Sequence, residues 1–181
     1  IPGTLGGALF MNAGAYGQEI SQHLIQVTIL TPDNEIQTIP YQDCGFGYRQ
    51  AKALQQAIIL DASWQLPMAN SDFLLAQRKK ILSQRRAKQP LNFPSAGSVF
   101  KRPPGAYASQ LMDQAGLKGV RIGDAQVSEK HAGFIVNIGN ATSQDVLELI
   151  KLCQQRVRDQ FGYDLELEQC LGPIWLNPQE K

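Results

Sequence analysis

At 181 residues, with 17 basic and 16 acidic side chains and a formal net charge of +1, the chain has no global field to draw it to nucleic acid or an anionic membrane, so any anion site must be local. An apolar share of 43% is enough to build a core in one ordinary domain or two small ones, while the longest apolar runs, Ala57 to Leu60 and Gly133 to Ile138, are far too short to span a bilayer. Three cysteines, Cys44, Cys153 and Cys170, odd in number and without C-x-x-C spacing, argue against a disulfide framework or a metal site and read as reduced structural thiols.

The chain opens Ile1-Pro2-Gly3, directly in a glycine-rich motif and without methionine, which reads as a fragment lacking its N-terminal part. No basic-then-apolar leader is present there, so the cytoplasm is the expected compartment. Residues 1 to 17, "IPGTLGGALFMNAGAYG", hold five glycines and almost no charge, a composition that lets backbone approach a partner closely. "HLIQVTIL" (23–30) and "EIQTIP" (35–40) alternate as strands around the turn "TPDN" and predict a hairpin. "AIILDASWQL" (57–66) predicts another strand. From Ser71 to Gln89 the pattern turns helical, with Asn70 or Ser71 as cap, Phe73, Leu74, Leu75, Ile81 and Leu82 as its apolar side and Pro90 as its end.

A second unit follows. "AYASQLMDQAGLKG" (106–119) predicts a helix with Ala108, Leu111, Met112 and Ala115 on one face and Gly116 as its stop. "HAGFIVNIG" (131–139) predicts a strand. "SQDVLELIKLCQQRVRDQFG" (143–162) carries a clear helical stripe, Val146, Leu149, Ile150, Cys153, Val157 and Phe161, with Ser143 as the expected cap. A last strand, "DLELEQCLG", is expected to close at Gly172, followed by a polar tail. The fold class is α+β in two lobes.

Several stretches could carry chemistry. The glycine-rich opening is neither a Walker loop nor a Rossmann fingerprint, since no Gly-Lys-Ser/Thr follows and no strand precedes it; a structural turn and a cofactor loop are equally open, with Thr4 and Asn12 tilting toward binding. Arg49 in "FGYRQAK" reads either as a solvated arginine or as a fork for a carboxylate or phosphate. In "FPSAGSVFKRPPG" (93–105), Ser98 lies on a stiff, anchored loop beside Lys101 and Arg102. Such a hydroxyl can give a proton where charge develops, whereas the absence of a Gly-x-Ser-x-Gly elbow disfavours a hydrolase nucleophile. His131 reads as a ligand, a base or a satisfied half-buried side chain, and His23 as structural. Glu166 and Glu168 share one face by strand periodicity. "RKKILSQRRAK" (78–88) holds six cations in eleven residues and reads first as a solvated helix face, with nucleic acid or a phosphate-bearing ligand as minority readings.

Taken in order, "IPGTLGGALFMNAGAYG", "YR", "PSAGSVFKRPPG", "AGLKGVRIGDAQVSEKHAGFIVN" and "FGYDLELEQCLG" resemble the UDP-N-acetylenolpyruvoylglucosamine reductase family, also called the UDP-N-acetylmuramate dehydrogenases, over nearly the whole chain. The resemblance implies the second part of a vanillyl-alcohol-oxidase-type FAD domain at 1–68, a smaller α+β substrate domain at 69–173 and a tail at 174–181. It implies that NADPH reduces FAD, and that the reduced flavin gives a hydride to C3 of the enolpyruvyl group of UDP-N-acetylglucosamine enolpyruvate. By the same resemblance Ser98 would give the proton to C2, and Arg49 and Glu168 would stabilise the charged intermediate through its carboxylate. Pro2, Gly3, Thr4, Gly6, Gly7, Gly14 and Ala15 would line the flavin, and Tyr48, Lys101, Arg102 and His131 would touch substrate.

Two departures from the family pattern stand out. Lys101-Arg102-Pro103 replaces the common Lys-Asn-Pro, which resembles the shorter-loop subgroup, and Ala51 stands where a serine is common. The resemblance implies a cytoplasmic monomer of peptidoglycan synthesis, with no nucleic acid, membrane or metal partner. Other readings of the same residues are a different FAD oxidase or dehydrogenase, a non-catalytic nucleotide-binding module, and a nucleic-acid binder using residues 78–88.

Overall fold

The glycine-rich opening contains a short helix, α1 (Leu5–Phe10), that its glycines conceal. The Thr4 hydroxyl caps it, accepting the Gly7 N–H at 3.1 Å, and fully buried Leu9 anchors it; one cap and one anchor outweigh the propensity cost of two glycines in so few turns. The structure, a computed structural model, describes residues 3–170. It divides into two units, Ile1–Ala69 and Asn70–Lys181.

In the first unit, β1 (Gly14–Ala15) and β2 (Gln18–Glu19) form a tight hairpin. Its central residues, Tyr16 and Gly17, both sit at positive φ, 56° and 78°, as a two-residue hairpin turn requires. The alternating stretch then forms the expected hairpin, β3 (Leu24–Leu30) with β4 (Ile36–Pro40), turned through Thr31 and Asn34, whose N–H donates to the Thr31 carbonyl at 3.0 Å. A small hairpin follows, β5 (Phe46–Gly47) and β6 (Gln50–Ala51). The chain then returns as β7 (Ile58–Trp64), giving an antiparallel sheet in the order β4-β3-β7. Leu9, Leu24, Val27, Ile29, Cys44, Ala51 and Leu54 close the core beneath it.

The second unit begins with α2 (Ser71–Lys88), capped by the Asn70 side chain on the Phe73 N–H and ended before Pro90. Its apolar residues make no buried stripe: Phe73, Leu74, Leu75 and Leu82 are exposed. Three consecutive positions sweep about 200° around a helix, so they cannot share one face. β8 (Ser95–Ser98), which sequence patterning missed, pairs with β11 (Phe134–Asn137). Between them come α3 (Ala108–Gln114) and the short strands β9 (Arg121–Ile122) and β10 (Ala125–Val127), and the sheet order is β8-β11-β10-β9. Helix α3 is shorter than expected, but its stop is as read, with Gly116 left-handed at φ 67°.

α4 (Ser143–Phe161) packs on α3, β9 and β10. Its cap is Thr142 rather than Ser143, in a reciprocal box with Asp145: Asp145 N–H donates to Thr142 Oγ1 at 3.1 Å, and Thr142 N–H to Asp145 Oδ2 at 2.9 Å. Leu149, Ile150, Cys153 and Val157 are buried as the stripe predicts, whereas Phe161 is exposed. The expected last strand reduces, within the described residues, to one antiparallel bridge between Leu167 and Phe100; Gly172 and the tail lie outside them.

Candidate active site

The first unit gathers its candidate residues around two loops. Tyr48 and Arg49 form the two-residue link of the β5–β6 hairpin, and Arg49 takes φ 55°, a conformation that non-glycine residues adopt rarely and that strain-storing functional sites favour. Its guanidinium lies 5.1 Å from the centre of the Tyr48 ring, and its Nη2 donates to the Gly14 carbonyl at 2.9 Å. Gly14 is a packing glycine: a Cβ there would come within 3.0 Å of the Gln18 carbonyl and 3.1 Å of Arg49 Nη1. Asn12, buried in the same loop, donates from Nδ2 to Glu19 Oε2 at 2.8 Å and to the Gly47 carbonyl at 3.0 Å. Arg49, Tyr48 and Gly14 are thus brought together.

The remaining glycine-rich candidates divide. Gly3, Thr4, Gly7 and Ala15 are exposed, and a Cβ at Gly6 would meet Ile59 at an ordinary contact distance of 3.8 Å. Thr4 already spends its hydroxyl on the α1 cap. Pro2 lies outside the described residues.

In the second unit Ser98 ends β8, opposite Phe134 of β11. The segment that follows it is held on both sides. Val99 N–H donates to the Gly133 carbonyl at 2.9 Å, Glu168 N–H donates to the Val99 carbonyl at 2.9 Å, and Lys101 N–H to the Glu166 carbonyl at 2.8 Å. The backbone of Glu168 therefore lies one residue along from Ser98 on the adjoining segment, and Gln169 donates to the Gly97 carbonyl at 3.4 Å. Lys101 Nζ makes an ion pair with Glu166, so its charge is engaged by a carboxylate rather than offered to Ser98. Arg102 stacks its guanidinium 4.4 Å from the centre of the Tyr107 ring.

His131 is half-buried, with Nδ1 accepting the Gly133 N–H at 3.1 Å and its ring edge-on to Phe134. Burial holds its pKa below 6.5, with a smaller opposing rise from its backbone hydrogen bond. Of the three readings of this residue, the geometry supplies the partners of the satisfied one. Its loop is tied by Ser128, buried, whose Oγ accepts the N–H groups of Lys130 and His131 at 3.2 and 3.3 Å. Beside that loop opens a cavity of about 710 Å³, lined in part by Arg86, Gln126, Ser128, Lys130 and Val136. Sequence reasoning reached Arg86 only as one of the cations of 78–88 and passed over Gln126, Ser128, Lys130, Val136 and Glu19, because each of these sits in an unremarkable local pattern. Asn12 gave one signal, an asparagine before Ala-Gly, asparagine being among the non-glycine types most tolerant of left-handed backbone.

Among the described residues no cluster of histidine, cysteine and carboxylate suits a metal ion, and no helix is long and apolar enough to cross a membrane. Residues 89–171 match the family model described as UDP-N-acetylenolpyruvoylglucosamine reductase, C-terminal domain. The chain is 49% identical over 169 residues to a UDP-N-acetylenolpyruvoylglucosamine reductase of Listeria welshimeri, covering 93% of this chain and 57% of that one. It is 48% identical over 170 residues to one from Streptococcus pyogenes, with the same coverages. The chain thus spans little more than half the length of these relatives. A crystal structure of UDP-N-acetylenolpyruvylglucosamine reductase from Thermus caldophilus superposes with a TM-score of 0.83 at 35% identity, over 96% of this chain and 62% of that one.

Proposed function

Residues 89–171 belong to the UDP-N-acetylenolpyruvoylglucosamine reductase family as its C-terminal domain, and from that premise we propose that the protein is an NADPH-dependent flavoenzyme reducing UDP-N-acetylglucosamine enolpyruvate to UDP-N-acetylmuramate. The observation that carries the reading is the strand arrangement that places Ser98 and Glu168 on adjoining backbone, Glu168 N–H to the Val99 carbonyl at 2.9 Å. The first unit is the second part of an FAD domain and the second unit the substrate domain, with the reaction running in the cytoplasm on a monomer.

The residues present fit a flavin. Gly3, Thr4 and Gly7 leave exposed backbone with little side chain over it, which suits close approach of a flat ring or a diphosphate to the main chain, whereas Gly14 makes room for the Gln18 carbonyl and Arg49 of this chain. Gly6 and Ala15 complete this surface, and Pro2 is assigned to it by the family motif. When bound, FAD supplies the hydride for C3 of the enolpyruvyl double bond, the electrons coming from NADPH. This chain's own residues supply the rest. Ser98 gives its hydroxyl proton to C2, while the Arg49 guanidinium holds the carboxylate end, where negative charge collects, and the family motif assigns Glu168 beside it. Such preorganised charge lowers the barrier more than uniform substrate binding does. Tyr48 steadies Arg49 from its ring face, and Arg102 and His131 flank the substrate. The cations Arg86 and Lys130 at the second unit's cavity suit a nucleoside diphosphate.

The test is a flavin spectrum of the purified protein. A yellow protein bleached by NADPH and reoxidised by the enolpyruvyl sugar nucleotide, but not by other acceptors, supports the reading; reoxidation by a different substrate alone points to another flavin oxidoreductase. Ser98→Ala is expected to leave bleaching by NADPH intact and to slow reoxidation by on the order of 10²–10⁴-fold. Near-normal reoxidation removes Ser98 as proton donor.

A further inference from the structure

Three segments of the first unit meet at Asn12. It is 1% exposed at φ 43°, and its Nδ2 donates to Glu19 Oε2 on β2 and to the Gly47 carbonyl on β5. Both partners are acceptors, which settles the amide orientation: nitrogen toward them, Oδ1 inward. Oδ1 is buried with no hydrogen-bond partner among the described residues. An unpaired buried acceptor is unfavourable, so what this side chain contributes is its pair of N–H donors. Gly47 runs directly into Tyr48-Arg49, and Arg49 Nη2 returns a bond to the Gly14 carbonyl, two residues beyond Asn12. The loop holds the hairpin through Asn12, and the hairpin holds the loop through Arg49. Asn12 and Arg49 both sit at positive φ, a pairing of two strained residues that persists only where surrounding contacts over-determine it.

We propose that Asn12 is a positioning residue for Arg49. The inference rests on the reading of Arg49 as the group that meets the substrate carboxylate. Asn12 fixes the Gly47 carbonyl, hence the entry to the turn, hence the origin of the guanidinium. A change there moves the charge without touching substrate, and displacement of about 1 Å in a reacting group can cost on the order of 10²-fold in rate.

Two substitutions separate side chain from backbone. Asn12→Gly keeps the left-handed conformation at no steric cost and deletes both donors. Asn12→Asp keeps shape and conformation but sets a carboxylate against Glu19 and the Gly47 carbonyl. In the intact, flavin-loaded reductase, flavin reduction by NADPH should be unchanged in both, while reoxidation by the enolpyruvyl sugar nucleotide slows by about ten-fold or more in Asn12→Gly and further in Asn12→Asp. Glu19→Ala removes an exposed anchor without touching the core, keeps the test decisive if the Asn12 variants fold poorly, and should give a smaller loss of the same step. Adding Asn12→Gly to Arg49→Lys should add little to the loss from Arg49→Lys alone, since both act through one group; a merely structural role would give multiplying losses and would slow flavin reduction too. If Arg49→Lys leaves reoxidation untouched, the functional reading of Arg49 fails. If Arg49→Lys is impaired while the Asn12 and Glu19 variants are unchanged, or their losses multiply, the positioning role is overturned.

Discussion

Cys153 and Cys170 have identical side chains and opposite fates. Burial on the inner face of α4 pushes the Cys153 thiol up to about 12, and burial, with Asp43 beside it, raises the Cys44 thiol, so neither offers thiolate at neutral pH. Cys170 is exposed. A thiol reagent at pH 7.5 should therefore label Cys170 promptly and the other two only on unfolding; prompt labelling of all three would contradict the packing. His131 adds a pH dependence. Its folded pKa lies below 6.5, so between that value and 6.5 the unfolded chain binds more protons. Its contribution to stability is complete above 6.5 and is lost as pH falls through the folded value. Protonation also takes Nδ1 from the Gly133 N–H. An NMR titration of His131 should give a midpoint below 6.5, and the melting difference between wild type and His131→Gln should shrink as pH falls below 6.5. The half-buried histidine was legible as one of three readings in the sequence; choosing among them took its neighbours Gly133 and Phe134, which only the β10–β11 hairpin supplies.

At the scale of elements, long helices announce themselves and short pieces do not. α4 shows its stripe over nineteen residues, yet the cap was misread by one position, because Thr142 and Ser143 are equally good caps by type and only the Asp145 box decides between them. Thr142→Ala should destabilise by about 1 kcal/mol, read as a shift in denaturant midpoint with unchanged slope. Gly123 is coupled to the same cap: at φ 54°, a Cβ there would meet the Asp145 carboxyl at 2.6 Å. Gly123→Ala should therefore destabilise α4 more than an ordinary loop substitution, and combining it with Thr142→Ala should give less than the sum, since both break one box. Strands β8, β9 and β10, of two to four residues, escaped sequence reading because period-two alternation needs more positions than they have. α1 escaped for a different reason, since its glycines mask a helix that Thr4 and Leu9 stabilise.

At the scale of the whole molecule, each unit closes its own core. That of the second is built from Val99 through Leu165 without help from the first. Residues 70–170 expressed alone should therefore keep helical circular dichroism and melt in one cooperative transition; a non-cooperative melt would show the unit to be dependent on the rest of the chain. By itself the sequence determined the long helices, the β3–β4 hairpin, the α+β class and the family motifs, because those depend on local periodicity, turn chemistry and residue order, all of which lie along the chain. Tertiary structure alone decided that Asn12 answers Gly47 across 35 residues, that Gln169 reaches the Gly97 carbonyl across 72, and that Lys101 is held by Glu166. Those pairings are set by strand register and hairpin closure, and a hydrogen bond between distant residues leaves no mark in the local pattern of either one.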